Sequence, residues 1–216
     1  MTQHSMPLNL PIVLTWTRIV AIPLIVGVYL PDELPFAYNP DVLATILFVA
    51  AALTDWLDGW LARRWQQTSS FGAFLDPVAD KLMVAAALLV LLDLGRVNAL
   101  IALVIIGREI TISALREWMA QIGASRSVAV HWFGKVKTIS QMVAIPLLLY
   151  DAPIGPLDIH VIGTWLIYVA AVLTVWSMLY YIRRAYPQIV LRTRERKSRR
   201  LKPQLKKPAA RVVPGK

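Results

Sequence analysis

A membrane-crossing helix needs about 20 mostly apolar residues. Six segments of this chain meet or approach that length: Leu10 to Leu30, Val42 to Arg64, Pro77 to Leu94, Val97 to Met119, Gly134 to Tyr150 and Val161 to Ile182. In lipid a backbone has to satisfy its own hydrogen bonds, and a helix does so within one segment. Of 216 residues 57% are hydrophobic and only 17% charged, too apolar and too weakly charged for an ordinary soluble domain. The expected fold is therefore an all-α integral membrane protein with six transmembrane helices over residues 1–185. A basic cytoplasmic tail over 186–216 would follow, read as disordered or surface-lying.

Charge is placed unevenly. Of the 23 Lys and Arg, 13 fall between Arg183 and Lys216. A net charge of +10 in a soluble protein would point to nucleic acid. Behind an apolar body it points instead to an anionic lipid bilayer, and no nucleic-acid partner is expected. The loops "PDELPFAYNPD", "DLGRVN" and "DAPIGPLDIH" hold a single basic residue, Arg96, whereas the other flanks hold Arg63, Arg64, Lys81, Arg116, Arg126, Lys135 and Lys137. Basic flanks stay on the cytoplasmic side, so six spans put both termini there. The opening "MTQHSMPLNLP" lacks the features of a secretory signal. Cysteine is absent, which excludes disulfides and thiolate metal sites.

At the junction of the second and third apolar segments, the end of one and the start of the next, stand four aspartates, Asp55, Asp58, Asp76 and Asp80. At about 100° per residue, Asp55, Asp58, Gly59 and Ala62 share an arc of about 100°, with Arg63 at its edge. Asp76 and Asp80 are one helical turn apart and so lie on one face. Pro77 is expected in the first turn of the third helix, with "QQTSSF" as the turn between the two helices. Four carboxylates at one point repel one another and are costly near lipid. Two divalent cations, Mg²⁺ or Mn²⁺, would remove that cost, since carboxylate-only ligation suits hard ions and paired ions can clamp a phosphoryl transfer. Gly59, Ala62 and Gly72 would leave backbone open to a ligand. The alternative is that these charges merely cap two helices at the interface.

The pattern D-x-x-D-G-x-x-A-R-x8-G-x-x-x-D-x-x-x-D resembles the signature of the CDP-alcohol phosphotransferases. It is matched at Asp55, Asp58, Gly59, Ala62, Arg63, Gly72, Asp76 and Asp80, with every spacing kept. The resemblance extends over nearly all of residues 8 to 185 and includes six membrane helices. It implies that Asp55, Asp58 and Asp76 bind metal, and that Asp80 is a ligand, a general base, or both. It implies that Gly59, Ala62, Arg63 and Gly72 lie along the CDP moiety, and that Thr15 and Arg18 of the first helix, near the substrates, bind CDP as well. A homodimer in a bacterial inner membrane is implied on the same ground. The tail after Tyr186 lies outside the resemblance.

A second cluster narrows the acceptor. Arg108 and Glu109 sit inside an apolar segment, Arg116 falls near the same helical face as Arg108, and Lys135 and Lys137 open the fifth segment. Intramembrane ionisable residues are functional candidates, although an Arg108–Glu109 pair with a purely structural role is the competing reading. Arginine forks and lysines beside a metal site suit a second phosphate. A phosphorylated alcohol is thus favoured over choline, ethanolamine or free inositol. The whole stretch is most similar to the family members that join CDP-diacylglycerol to sn-glycerol 3-phosphate. Cardiolipin-synthase and inositol-phosphate members are the nearest alternatives, and an ion transporter is a more distant one. His4, His131 and His160 have no ligand spacing. The eight tryptophans sit mostly near segment ends, as interface anchors do.

Overall fold

Apolar segments flanked by strong capping residues become helices whose ends are locally satisfied. The structure is a computed structural model, and it describes residues 10–30, 39–65, 70–121 and 132–205. Among them are six α-helices and no strand: α1 Leu10–Gly27, α2 Pro40–Trp65, α3 Ser70–Asp93, α4 Ala99–Gln121, α5 Trp132–Tyr150 and α6 Ile159–Leu205. The Asn39 side chain accepts from the backbone N–H of Asp41 at 2.9 Å, and Pro40 and Asp41 occupy the first turn of α2, an arrangement that supplies a cap, a preset φ and a favourable charge. Asn98 caps α4 through the N–H of Leu100 at 2.8 Å, and Asp158 caps α6 through that of Val161 at 3.1 Å. α3 ends where Gly95 adopts a left-handed φ of 71° and the N–H of Arg96 returns to the Leu91 carbonyl at 2.9 Å.

α1 packs on α2 and α3, α2 on α5, α3 on α4, and α6 along both α4 and α5. The shared core includes Phe48, Met83, Leu88, Leu91, Ile145 and Leu148, all buried. Outside it, Leu53, Leu89, Leu103, Trp165, Val172 and Trp176 are exposed, and an apolar exterior of this kind suits lipid rather than water. α5 and α6 approach closely at Gly163, where a Cβ would stand 2.8 Å from Leu148 Cγ.

Among the described residues two stretches are long and apolar enough to cross a membrane, Pro40–Leu57 and Ile159–Arg183; Thr15–Gly27 and Val136–Tyr150 are shorter apolar helices. Two expectations change in detail. α3 begins at Ser70, so Pro77 lies inside the helix rather than in its first turn. Proline there removes one backbone hydrogen bond, a loss that apolar helices tolerate when neighbours compensate. Ser70 and Phe71 belong to α3 as well, and the turn itself, 66–69, lies outside the described residues. α6 runs on through Leu205, so the part of the tail over 186–205 is described as helix. An existing helix end removes the cost of nucleation, and Arg, Lys, Gln and Leu propagate it well. Residues 206–216 lie outside the described residues.

One further network ties the helix ends together opposite the aspartates. Arg96 binds Asp41 through two nitrogens at 3.0 and 2.7 Å, pairs with Asp151 at 2.9 Å, and donates to the Leu149 carbonyl at 2.8 Å. Tyr29 donates to Asp41 at 3.0 Å, and His160 Nδ1 lies 2.5 Å from Asp151. Burial works against the Arg96 charge, but Asp41 and Asp151 outweigh it and raise its pKa above the ordinary arginine value.

Candidate active site

Two residues of α1, Thr15 and Arg18, stand about one turn apart on the face that meets α2 and α3, and both are buried. Thr15 Oγ1 donates to Asp76 Oδ1 at 2.6 Å. Arg18 Nη1 pairs with Asp55 Oδ1 at 2.9 Å and also hydrogen-bonds Asp80 Oδ1. Three carboxylates from two helices are thus drawn to one face of a third. Asp76 and Asp80 reach it together because they are four residues apart on α3. Asp58, Gly59, Ala62 and Arg63 continue α2 past Asp55, and Lys135 lies in α5, but their side chains are outside the described residues. Gly72 is buried in α3.

Among the described residues no group of three or more acid or histidine side chains is spaced to enclose a metal ion, and the fourth aspartate, Asp58, is outside that set. The donor chemistry nevertheless fits a hard cation. The ligands offered are all carboxylate oxygens. Two of them, from Asp55 and Asp80, converge on a single positively charged nitrogen, so their common focus already holds a cationic group.

A cavity of about 280 Å³ opens beside these carboxylates. Asp55, Asp80 and Lys81 of α2 and α3 line it together with Arg108, Glu109, Arg116, Lys137 and Gln141 of α4 and α5, among apolar residues that include Val84, Ile112 and Met142. Lys137 and Arg108 are almost fully buried, at 2% and 8% exposure, and buried cations need partners. Glu109 supplies one to both: it pairs with Lys137 and lies 3.5 Å from Arg108 Nη1. Arg108 Nη2 also donates to Ser177 Oγ of α6 at 3.1 Å. The guanidinium carbons of Arg108 and Arg116 stand 5.9 and 6.0 Å from the centre of the Tyr181 ring, within cation–π range. Arg108 Nε and Gln141 Oε1 are buried without a hydrogen-bond partner among the described residues.

The structure therefore gathers Thr15, Arg18, Asp55, Asp76 and Asp80 into one cluster and Arg108, Arg116 and Lys137 into another. The Arg108–Glu109 pair exists and lines the cavity, so pairing and a place in the site coexist. Thr15 and Arg18 bond the carboxylates directly. Lys81, Ser113, Thr138, Gln141, Ser177 and Tyr181 were not singled out by sequence reasoning. Gln141 was within reach of it, one turn beyond Lys137 on the same helical face. Ser177 and Tyr181 carried no signal, since only the packing of α6 on α4 brings them to Arg108.

Acidic and basic clusters facing one hollow in a helical, apolar protein suit a membrane transferase acting on phosphate-bearing substrates. The family model for CDP-alcohol phosphatidyltransferase matches residues 8–176. A Salmonella choleraesuis protein named CDP-diacylglycerol–glycerol-3-phosphate 3-phosphatidyltransferase is 50% identical over 182 residues, covering 83% of this chain and 96% of that protein. Proteins of the same name from Yersinia enterocolitica and Sodalis glossinidius are 51% and 53% identical over 187 and 180 residues, covering 86% and 82% of this chain and 99% and 94% of their own. The chain belongs to the CDP-alcohol phosphatidyltransferase family.

Proposed function

We propose that this protein transfers the phosphatidyl group of CDP-diacylglycerol to sn-glycerol 3-phosphate, giving phosphatidylglycerophosphate and CMP. The single observation that carries the reading is the cavity that Asp55 and Asp80 share with Arg108, Arg116 and Lys137. A diphosphate needs the carboxylates only in company with cations, and an acceptor that brings its own phosphate needs the basic residues. The names of the relatives at about half identity support the same pair of substrates.

All six helices cross the inner membrane of a bacterium in this reading, with both termini cytoplasmic, as a homodimer. Asp55, Asp58, Asp76 and Asp80 would hold two divalent cations, Mg²⁺ or Mn²⁺. When bound, such ions neutralise diphosphate charge and acidify a nearby hydroxyl. Thr15 and Arg18 orient the carboxylates. Gly59, Ala62, Arg63 and Gly72 receive the CDP moiety. The acyl chains stay in lipid while Arg108, Arg116, Lys135 and Lys137 hold the glycerol phosphate. Asp80 accepts the proton of the sn-1 hydroxyl, whose oxygen bonds to the lipid-bearing phosphorus. The bond from that phosphorus to the bridging oxygen breaks, and CMP departs with the electron pair. Positioning and charge compensation supply most of the rate.

The reading is tested by CMP release from purified protein given CDP-diacylglycerol and one acceptor at a time. Glycerol 3-phosphate should support release. Release that requires inositol phosphate or phosphatidylglycerol would move the protein elsewhere in its family, and no release with any alcohol would refute the assignment.

A further inference from the structure

The apolar stretch of α6 ends at Arg183, but the helix continues to Leu205. This extension lies beyond the residues matched by the family model, which stop at 176. From Arg183 to Leu205 the sequence holds nine Lys and Arg against one acid, Glu195. At about 100° per residue Arg192, Arg196, Lys197, Arg199 and Arg200 cover one face of the helix, and Arg194 interrupts the arc that Val190, Leu191, Leu201 and Leu205 share. With its apolar arc broken by a charge, the helix is held to any surface it meets mainly by charge.

Where the extension starts decides which surface that is. Tyr181 packs beneath Arg108 and Arg116, so α6 leaves the protein at the cavity end. If α6 stayed straight, the 22 residues from Arg184 to Leu205 would reach about 33 Å away from the bilayer. Electrostatic attraction fades within about 8 Å at physiological salt, so the charges act on lipid only if the arm lies along it. Exposed Pro187, four residues past Arg183, removes a helical hydrogen bond and is where bending costs least. Tyr186 beside it is 67% exposed and is an interfacial residue type.

We propose that the helical arm of α6 beyond Arg183 binds anionic lipid headgroups of the same membrane that its apolar half crosses. Covalent continuity with a spanning segment holds the arm at high effective concentration over that surface, an advantage that a soluble polyanion such as RNA lacks. The inference rests on α6 being a membrane span, not on the identity of the acceptor alcohol.

The chain has no cysteine, so Ser198→Cys accepts a single environment-sensitive fluorophore. The labelled full chain is placed in nanodiscs of phosphatidylcholine alone or of phosphatidylcholine with phosphatidylglycerol. In the anionic discs, quenching by neutral acrylamide should fall by roughly half or more, and raised salt should restore it. Replacing Arg192, Arg194, Arg196, Lys197, Arg199 and Arg200 by Gln should abolish the difference. Equal quenching in both discs, protection that survives those replacements, or protection that appears only when RNA is added would overturn the proposal. A chain that does not enter discs at all would overturn the spanning reading of α6 together with it.

Discussion

Asp55 of α2 and Asp80 of α3 meet at one nitrogen, Nη1 of Arg18, which pairs with the first at 2.9 Å and hydrogen-bonds the second. Two carboxylates that would repel each other are held together by a buried cation on a third helix. The helices are thus fixed so that their acidic ends face one cavity.

Asp80, like Asp55, bonds Arg18 and lines the cavity that the basic cluster shares. Asp80→Asn keeps the shape but loses the proton acceptor. Turnover, read as CMP release, should fall at least ~100-fold, while circular dichroism and detergent melting stay near the wild-type values. Substantial turnover in this variant would remove Asp80 from the proton transfer.

Lys137 and Arg108 should act on the acceptor and not on the donor. Lys137→Gln removes a buried charge whose interactions are worth about 1.5–3 kcal/mol. The KM for glycerol 3-phosphate should rise roughly 10- to 100-fold, with the KM for CDP-diacylglycerol nearly unchanged. A parallel rise in both constants would show that the basic cluster is not an acceptor site. Arg108→Lys should fail in the same direction, because an ammonium cannot reproduce the fork that reaches Ser177 and Glu109.

Arg96 is a matter of stability. Its side chain is 14% exposed and ties α2, the α3–α4 turn and the end of α5 through Asp41, Asp151 and the Leu149 carbonyl. Arg96→Ala leaves Asp41 to Tyr29 and Asp151 to His160 without their shared cation and should cost about 1–3 kcal/mol. Thermal unfolding in detergent should show the loss, and the specific activity of the folded fraction should be preserved.

Gly163 should tolerate no side chain. Its Cβ position lies 2.8 Å from Leu148 Cγ and 3.3 Å from Leu147 Cβ. Gly163→Val should force α5 and α6 apart at a cost of about 1–3 kcal/mol, again measured by melting. Gly163→Val combined with Leu148→Ala should recover part of the loss.

The helices were legible because each apolar run is long and is interrupted by turns rich in Pro, Gly, Asn and Asp. The aspartates were legible because one helical turn separates Asp76 from Asp80, and Asp55 from Asp58. What spacing does not carry is which helix lies beside which. Thr15 and Asp76, or Arg96 and Asp41, are 61 and 55 residues apart, and nothing local marks them as partners. Arg96 looked like a lone exception in an otherwise uncharged set of loops. The structure shows its charge taken up by Asp41 and Asp151. The onset of α3 differs from the expected one because Pro77 resembles a start signal yet lies inside the helix, and basic composition alone does not mark how far α6 continues. In both places a continuing helix outweighed the local preference.

The central claim is that the carboxylates around Arg18 serve to bind divalent cations against a nucleotide diphosphate. Its most direct test is CMP release from CDP-diacylglycerol and glycerol 3-phosphate, measured after EDTA treatment and again as Mg²⁺ or Mn²⁺ is added back. The account predicts that release stops with EDTA and returns with either ion. Undiminished release in EDTA would contradict it.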